Sequence, residues 1–493
     1  MVRWFTWLIA GLAAACGSEN SANVSVDAAD AAATADTGDG KANEIFSDTA
    51  GDEPLAVAGD GASETVPTMD AAEVTAPQCP GGCDDKNPCT NDSCVNVVCK
   101  FANNSGACSD GLTCTASDHC QNGSCTGLPL VWQGDQSGSK SEAGLALAAD
   151  GDNIVVAGWT DSKGNGGRDG WLLRVTANGK VATESTYGGS KNDQFMAVRA
   201  VGSDWLAIGT TQTADKADRN GWVVRVDAVG KPVSEVSFGE TGEDELHAIS
   251  PLVDGSFVAA GYSESAAGDP RLWLVKLTAG GTMEWQKTQG TSGFDVAWDI
   301  AALPDGGAVT VGDSVDGKGI AHLTLSRFDA KGALVWQQTY ADQGESTGWA
   351  VVPKIDATGL VSGFVVAGTR AVSGAVNAWV LEASAEGVLG NHQTLAGGKN
   401  SAARGLIQQA DGSLLVVGKL ASTAGVFQAA VWSYAPNLGA VWTATVGADG
   451  ATGVAVLAMP TGGIVVTGQT GNSKTPDLLL RRIGNKGETS CNF

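Results

Sequence analysis

From residue 128 onward the chain alternates short apolar runs with turn-forming residues, and no stretch has the three-to-four spacing of a helix. Each unit begins with an apolar run, Phe195 to Val201 for example, and turns tightly at pairs such as Asp254-Gly255 or Asp411-Gly412. A second run follows, as in Ile154-Val155-Val156-Ala157, and ends at a glycine. A Gly/Ser/Asp loop leads to a third run, as in Trp171-Leu172-Leu173-Arg174-Val175, and a fourth such as Met283-Glu284-Trp285-Gln286 closes the unit. Runs of this length joined by glycine turns predict antiparallel strands linked by hairpins.

The glycine ending the second run recurs at Gly158, Gly209, Gly261, Gly312, Gly368, Gly418 and Gly468, with gaps of 51, 52, 51, 56, 50 and 50 residues. A further glycine follows the head of the third strand by eight residues: Gly179, Gly230, Gly281, Gly332, Gly387, Gly439 and Gly487. Seven units of four short strands predict an all-β, seven-bladed β-propeller over 128–493. The last unit stops after its third strand (Leu478 to Ile483), whereas Leu130-Val131-Trp132-Gln133 has the fourth-strand pattern but precedes the first unit. That orphan strand should complete the seventh blade and leave no open edge. The longer gap before Gly368 should lie in the first hairpin of its blade, around Asp356 to Gly363.

Upstream the composition changes twice. Residues 79–127 hold nine cysteines, Cys79, Cys83, Cys89, Cys94, Cys99, Cys108, Cys114, Cys120 and Cys125, with few apolar residues between them. None forms a C-x-x-C zinc knuckle, so the reading is a small module in which disulfides replace a core. The run Cys83-Asp84-Asp85-Lys86-Asn87-Pro88-Cys89-Thr90-Asn91-Asp92-Ser93-Cys94 resembles the slime-mould-type cysteine-rich repeat, and Cys108 to Cys125 form a second, more divergent copy. Asp84, Asp85, Asn87, Asn91 and Asp92 offer oxygen ligands for Ca²⁺, or cap turns between disulfides; no other cofactor is expected. Nine is odd, and with Cys16 set aside the remaining cysteine is Cys491. A disulfide from Cys491 to Cys79, or alternatively to Cys125, is expected.

Residues 17–78 contain thirteen acids and one base, with Phe46 the sole aromatic, and read as a disordered acidic linker spanning on the order of 45 Å. In residues 1–16, Arg3 precedes an apolar run from Trp4 to Leu12, then Ala13-Ala14-Ala15-Cys16. This resembles a bacterial lipoprotein signal, which implies lipidation of Cys16; an ordinary secretory signal is the alternative. Gly17 in place of Asp implies the outer membrane, with a secreted or periplasmic protein the other outcome.

The chain carries 54 acids against 30 Lys and Arg, a net charge of −24, which excludes nucleic acid as a partner. The loop Tyr187-Gly188-Gly189-Ser190-Lys191-Asn192-Asp193 resembles the Y-G-G-S-x-x-D repeat of a bacterial seven-bladed propeller family, a resemblance that implies fold more than task. No G-x-S-x-G elbow, phosphate loop or dinucleotide fingerprint is present, and His119, His247, His322 and His392 share no metal-binding spacing. No catalytic or metal-ligating set is assigned. Asp193, Asp244 and Asp295 occupy equivalent places at the start of the first strand in successive blades, with Glu243 and Glu245 beside the middle one and Ser346, Ser401, Thr452 and Ser141 in the other blades. They are the candidate ligand-binding residues, or else turn caps. The expected function is that of an exported, membrane-anchored interaction protein binding an extracellular protein or glycan. A propeller hydrolase or lyase acting on extracellular polysaccharide, and a structural surface protein, are the alternatives.

Overall fold

The computed structural model describes residue 79 and residues 81–490 except 113, 213–217, 267, 291–293, 396–399, 422–424 and 472–474. Cys16 and the linker lie outside the described residues, as does Cys491. Two compact units divide the chain: Met1–Cys83 with Ser93–Lys100, and Asp84–Asp92 with Phe101–Phe493.

In the first unit, Cys79–Cys94 and Cys83–Cys99 bridge a tight turn through Asn96 and Val97, whose φ angles of 54° and 65° are those of a two-residue hairpin loop. In the second, Cys89–Cys120 and Cys108–Cys125 hold the strands Thr115–Gln121 and Ser124–Pro129. Cys89–Cys120 joins the two sequence repeats, which therefore do not close separately. Both partners expected for Cys491 are engaged elsewhere, Cys79 with Cys94 and Cys125 with Cys108, while Cys114 is also disulfide-bonded.

The second unit contains seven four-stranded antiparallel sheets. Their innermost strands are Glu142–Asp150, Asp193–Val201, Asp244–Pro251, Asp295–Ala302, Ser346–Ile355, Ala402–Gln408 and Thr452–Ala458. Each adjoins the next, and the last adjoins the first, so the seven surround one axis. We number the blades 1–7 in this order. Seven apolar clusters fill the seven interfaces between neighbouring blades, including Leu147, Ile154 and Trp171 of blade 1 against Val465, Leu478 and Leu480 of blade 7.

Blade 7 is closed by the N-terminal segment. Trp132 and Gln133 pair with Arg482 and Arg481 of the strand Pro476–Ile483, and Gly134 and Gln136 continue the bonding to Leu480 and Leu478. Asp135 caps the join by binding the Arg481 guanidinium. In blade 5, Ser346 lies 22 residues before Gly368, against 17 from Asp295 to Gly312 in blade 4; the five extra residues lengthen the first hairpin, which turns at Asp356 to Leu360.

The seven anchor glycines have a common steric cause. In every inner strand the pairing with the second strand skips one residue, a β-bulge, immediately beside the glycine. The bulge presses a backbone carbonyl over that position. A Cβ would stand 1.9 Å from the Ala143 oxygen at Gly158, 1.8 Å from Glu245 at Gly261 and 1.8 Å from Ala402 at Gly418. The turn glycines instead meet a conformational demand, as with φ 84° at Gly179. Blade 6 departs from the expected register. Ala430 pairs with Gly418, so the left-handed turn position falls on Leu438 (φ 63°) and not on Gly439.

Candidate functional site

The residue skipped by each bulge is Leu145, Met196, His247, Trp298, Trp349, Arg404 or Val454 in blades 1–7. Bulges redirect side chains, and here they turn one residue per blade toward the common axis. The proof is contact between blades. The His247 ring stacks on Trp298 (centroids 4.6 Å apart, planes 9°), Trp298 meets Trp349 (4.8 Å, 36°), and the Arg404 guanidinium lies 3.8 Å from the Trp349 centroid. Four consecutive blades thus contribute a continuous aromatic and cationic arc, while blades 7, 1 and 2 supply aliphatic Val454, Leu145 and Met196. Because the faces of these rings are turned on one another, their electropositive edges are what they offer to the axis.

A second tier surrounds the arc, formed by the residue after each anchor glycine. Tyr262 pairs with Glu245, Asp313 with Val296 and Lys419 with Ala402. The Trp298 indole donates to Asp313 Oδ1 at 2.6 Å. On the other side Arg219, at the head of the strand Arg219–Val226, grips Glu243 (2.8 Å) and Glu245 (3.0 Å), and the Tyr262 hydroxyl donates to Glu243 at 3.4 Å. Glu245 Oε2 then meets His247 Nε2 at 3.1 Å, and His247 Nδ1 meets the Ala297 carbonyl at 2.8 Å. Both ring nitrogens face oxygen atoms, the Ala297 carbonyl and the Glu245 carboxylate.

Burial sets unusual proton affinities here. It raises the Asp313 carboxyl to about 7, only partly offset by the Trp298 N–H. It raises Asp299 to about 6 despite bonds from the Val351 and Ile300 amides. Burial also works upward on Glu245, but the His247 bond and the Arg219 charge outweigh it and hold Glu245 below the ordinary carboxylate range. Tyr262 is driven upward by burial and by Glu245 and Glu243. Among the cations, burial lowers Arg404 to about 10 and, together with repulsion from Arg404, Lys419 to about 8.

The sequence candidates sit just outside this arc. Asp193 is fully buried and accepts the Gly189 and Gln212 amides; Asp244 is fully buried and accepts the Glu240 amide. Their carboxylates hold the loop entering each blade. The equivalent positions elsewhere are Glu142, Ser346, Ser401 and Ala451, so the register replaces the expected Ser141 and Thr452 by Glu142 and Ala451. Glu142 accepts the Gly138 amide in the same way, whereas Ser346 accepts the Leu323 amide and Ser401 the Ala378 amide, each from the third strand of the preceding blade. Asp295 is also buried and adds its charge to the surroundings of Asp313.

In the cysteine-rich segment, carboxylate oxygens of Asp84, Asp85 and Asp92 lie within 4.8 Å of one another. Each accepts a backbone amide: Lys86 to Asp84, Asn87 to Asp85, Asp85 to Asp92. Asn87 accepts from Cys89, and Asn91 from the Asn104 side chain. The bonds to Asp84, Asp85 and Asn87 are Asx turns, while Asp92 and Asn91 tie residues farther apart along the chain.

The sequence matches no protein-family model and no curated protein. Solved structures with a similar backbone include the WD40 domain of Neurospora crassa Pan2 (9% identity, 70% of this chain and 89% of that one, TM-score 0.41). Sqt1 from Chaetomium thermophilum is similar at 14% identity (73% and 87%, TM-score 0.42), and a polysaccharide lyase, an ulvan lyase, at 11% (73% and 98%, TM-score 0.49). These likenesses extend to the fold alone. Among the described residues no helix is long and apolar enough to cross a membrane, and the disulfides are consistent with an extracellular or secreted protein.

Proposed function

We propose that this is an exported, lipid-anchored interaction protein whose propeller binds a glycan where the inner-strand bulges line the channel. The observation that carries the reading is the arc His247–Trp298–Trp349–Arg404, held by ring stacking and a shared hydrogen-bond network. A saccharide chain is narrow, rich in hydroxyls and apolar along its C–H edges. Its hydroxyl oxygens suit a site in which electropositive ring edges alternate with fixed donors and acceptors. The Arg219–Glu243–Glu245–His247 chain is already paired, so little ordering cost remains on binding. Export rests on the signal-like segment and the disulfides, anchoring on Cys16.

Glycan-array screening of the full-length protein, followed by calorimetry, tests the reading. Trp298→Ala and Trp349→Ala should each weaken binding at least tenfold. Absence of glycan binding by the wild type, or full affinity in both variants, refutes it. Mass spectrometry of the mature N-terminus decides the anchor: an acylated Cys16 is expected, and an unmodified terminus elsewhere refutes it.

A polysaccharide hydrolase or lyase is the second reading. It is favoured by two carboxyls held at opposite extremes, Asp313 up to about 7 and Glu245 below its usual range, linked through Trp298 and His247. Turnover of a bound polysaccharide, abolished by Asp313→Asn, would establish it.

A further inference from the structure

We propose that Arg404, Lys419 and the Trp349 indole form a subsite for an anionic group, a carboxylate or sulfate, carried by the bound glycan. The inference rests on the glycan-binding reading and adds the charge class of the ligand. Arg404 Nη1 and Trp349 Nε1 are both shielded from solvent, and neither has a hydrogen-bond partner among the described residues. Buried N–H groups are rarely left unpaired, because each has given up water without a replacement acceptor. These two belong to stacked neighbours, the guanidinium lying 3.8 Å from the indole centroid.

Lys419 adds a second cation on the adjoining strand of the same blade, where it pairs with Ala402 two residues before Arg404. Its ammonium rests 4.3 Å from the Phe427 centroid, and Arg404 repels it. Neither cation forms a salt bridge with a carboxylate among the described residues. Two other cations on this side of the propeller do: Arg219 binds Glu243 and Glu245, and Arg168 binds Asp161. In a chain with 54 acids, two neighbouring cations without a salt bridge among the described residues, facing an Asp313 carboxyl that burial keeps protonated up to about 7, mark a place for a negative group from outside. A guanidinium fork and an indole N–H match the several oxygens of a carboxylate or sulfate.

The titratable groups facing this pair are Asp313 of blade 4, with His247 and Asp295 around it, and the two cations themselves. As pH rises, Asp313 gains negative charge near 7 and Lys419 loses its proton near 8. Both changes oppose an anion, so its affinity should fall across that range.

The test titrates full-length protein with glucuronate, glucose 6-sulfate, glucose and inorganic sulfate, read by intrinsic tryptophan fluorescence and indole N–H shifts. The wild type should bind the two anionic sugars at least tenfold more tightly than glucose, with the Trp349 indole shifting. Lys419→Gln should remove most of that preference and leave glucose unchanged, and Arg404→Gln should weaken the anionic sugars more than it weakens glucose. Lys419 is only partly buried, so its variant keeps the test valid if Arg404→Gln fails to fold. The two anionic sugars distinguish carboxylate from sulfate. Equal affinity for charged and neutral sugars, or equal loss for both in the variants, overturns the subsite while glycan binding stands. Arg404-dependent sulfate binding without affinity for any sugar keeps the anion site and refutes the glycan reading.

Discussion

Replacing Gly261 by alanine probes the link between the repeat and the site. A Cβ there would stand 1.8 Å from the Glu245 oxygen, 2.8 Å from its carbonyl carbon and 3.1 Å from Leu246 Cα. Carbon and oxygen normally approach to roughly 3.3 Å, so the carbonyl must retreat by about 1.5 Å. All three obstacles are backbone, so no side-chain rotation relieves the clash. Overpacking costs typically about 1–3 kcal/mol, and a backbone obstacle places Gly261→Ala at the upper end. The retreat must flatten the bulge or part the Leu246–Gly261 pair, and either movement carries His247 away from Glu245 and Trp298. Stability and ligand affinity should therefore fall together.

Gly189→Ala is the control. A Cβ at Gly189 would meet no atom within 4 Å, the residue does not adopt a left-handed φ, and its amide bond to Asp193 survives the substitution. It should stay within about 0.5 kcal/mol of the wild type. Urea and thermal unfolding of the three proteins, read by tryptophan fluorescence, compare them directly. If Gly261→Ala unfolds with the midpoint of Gly189→Ala, the close approach is not what selects the anchor glycines.

Asp313 holds its proton up to about 7 when folded, well above the roughly 3.9 of a free aspartate. The folded state thus binds the extra proton, and the stability this gives is present at acid pH and declines between about 4 and 7; Asp313→Asn should flatten the melting temperature across that window. Trp132 packs in the blade 7–blade 1 cluster and donates to the Ala177 carbonyl at 3.0 Å, so Trp132→Ala should cost about 2–3 kcal/mol, below the range for a fully buried tryptophan, and should accelerate proteolysis ahead of Glu142. Non-reducing peptide mapping should recover Cys79–Cys94, Cys83–Cys99, Cys89–Cys120 and Cys108–Cys125, together with a proposed fifth bridge from Cys114 to Cys491; a free Cys491 would refute the fifth.

The blade count and the closing strand were legible because each rests on a local rule that repeats. A glycine survives wherever a bulge carbonyl overlies it, so Gly158 to Gly468 mark all seven bulges. The Trp132-Gln133 strand announces itself by having a fourth-strand pattern with no blade of its own. Leu438 misled for the complementary reason: a left-handed φ favours glycine without requiring it, and the neighbouring Gly439 drew the register one residue too far. Disulfide pairing was illegible because cysteine spacing carries no topology. Cys89 finds Cys120 across 31 residues, while the nearer Cys94 goes to Cys79.

The proposed site was missed where the strand rule itself breaks. Strict alternation assigns every inner-strand residue to one blade face or the other, and leaves none for the axis. A bulge adds a residue that belongs to neither face, and that residue lines the channel. Its trace is nevertheless present once the seven repeats are superposed on their anchor glycines. The following column reads Ala146, Ala197, Ala248, Asp299, Ala350, Gly405 and Ala455, nearly all small, as packing against the next blade demands. The bulge column reads Leu, Met, His, Trp, Trp, Arg and Val, changing freely in size, charge and aromaticity. The scaffold constrains size at the first column and tolerates variation at the second. The aspartates Asp193, Asp244 and Asp295 attracted attention by recurring, yet recurrence across blades is what a shared structural task produces. In a closed repeat, a column that carries binding at one place on the ring must differ from blade to blade, since seven identical side chains would build a symmetric ring and not an arc with His247 at one end and Arg404 at the other.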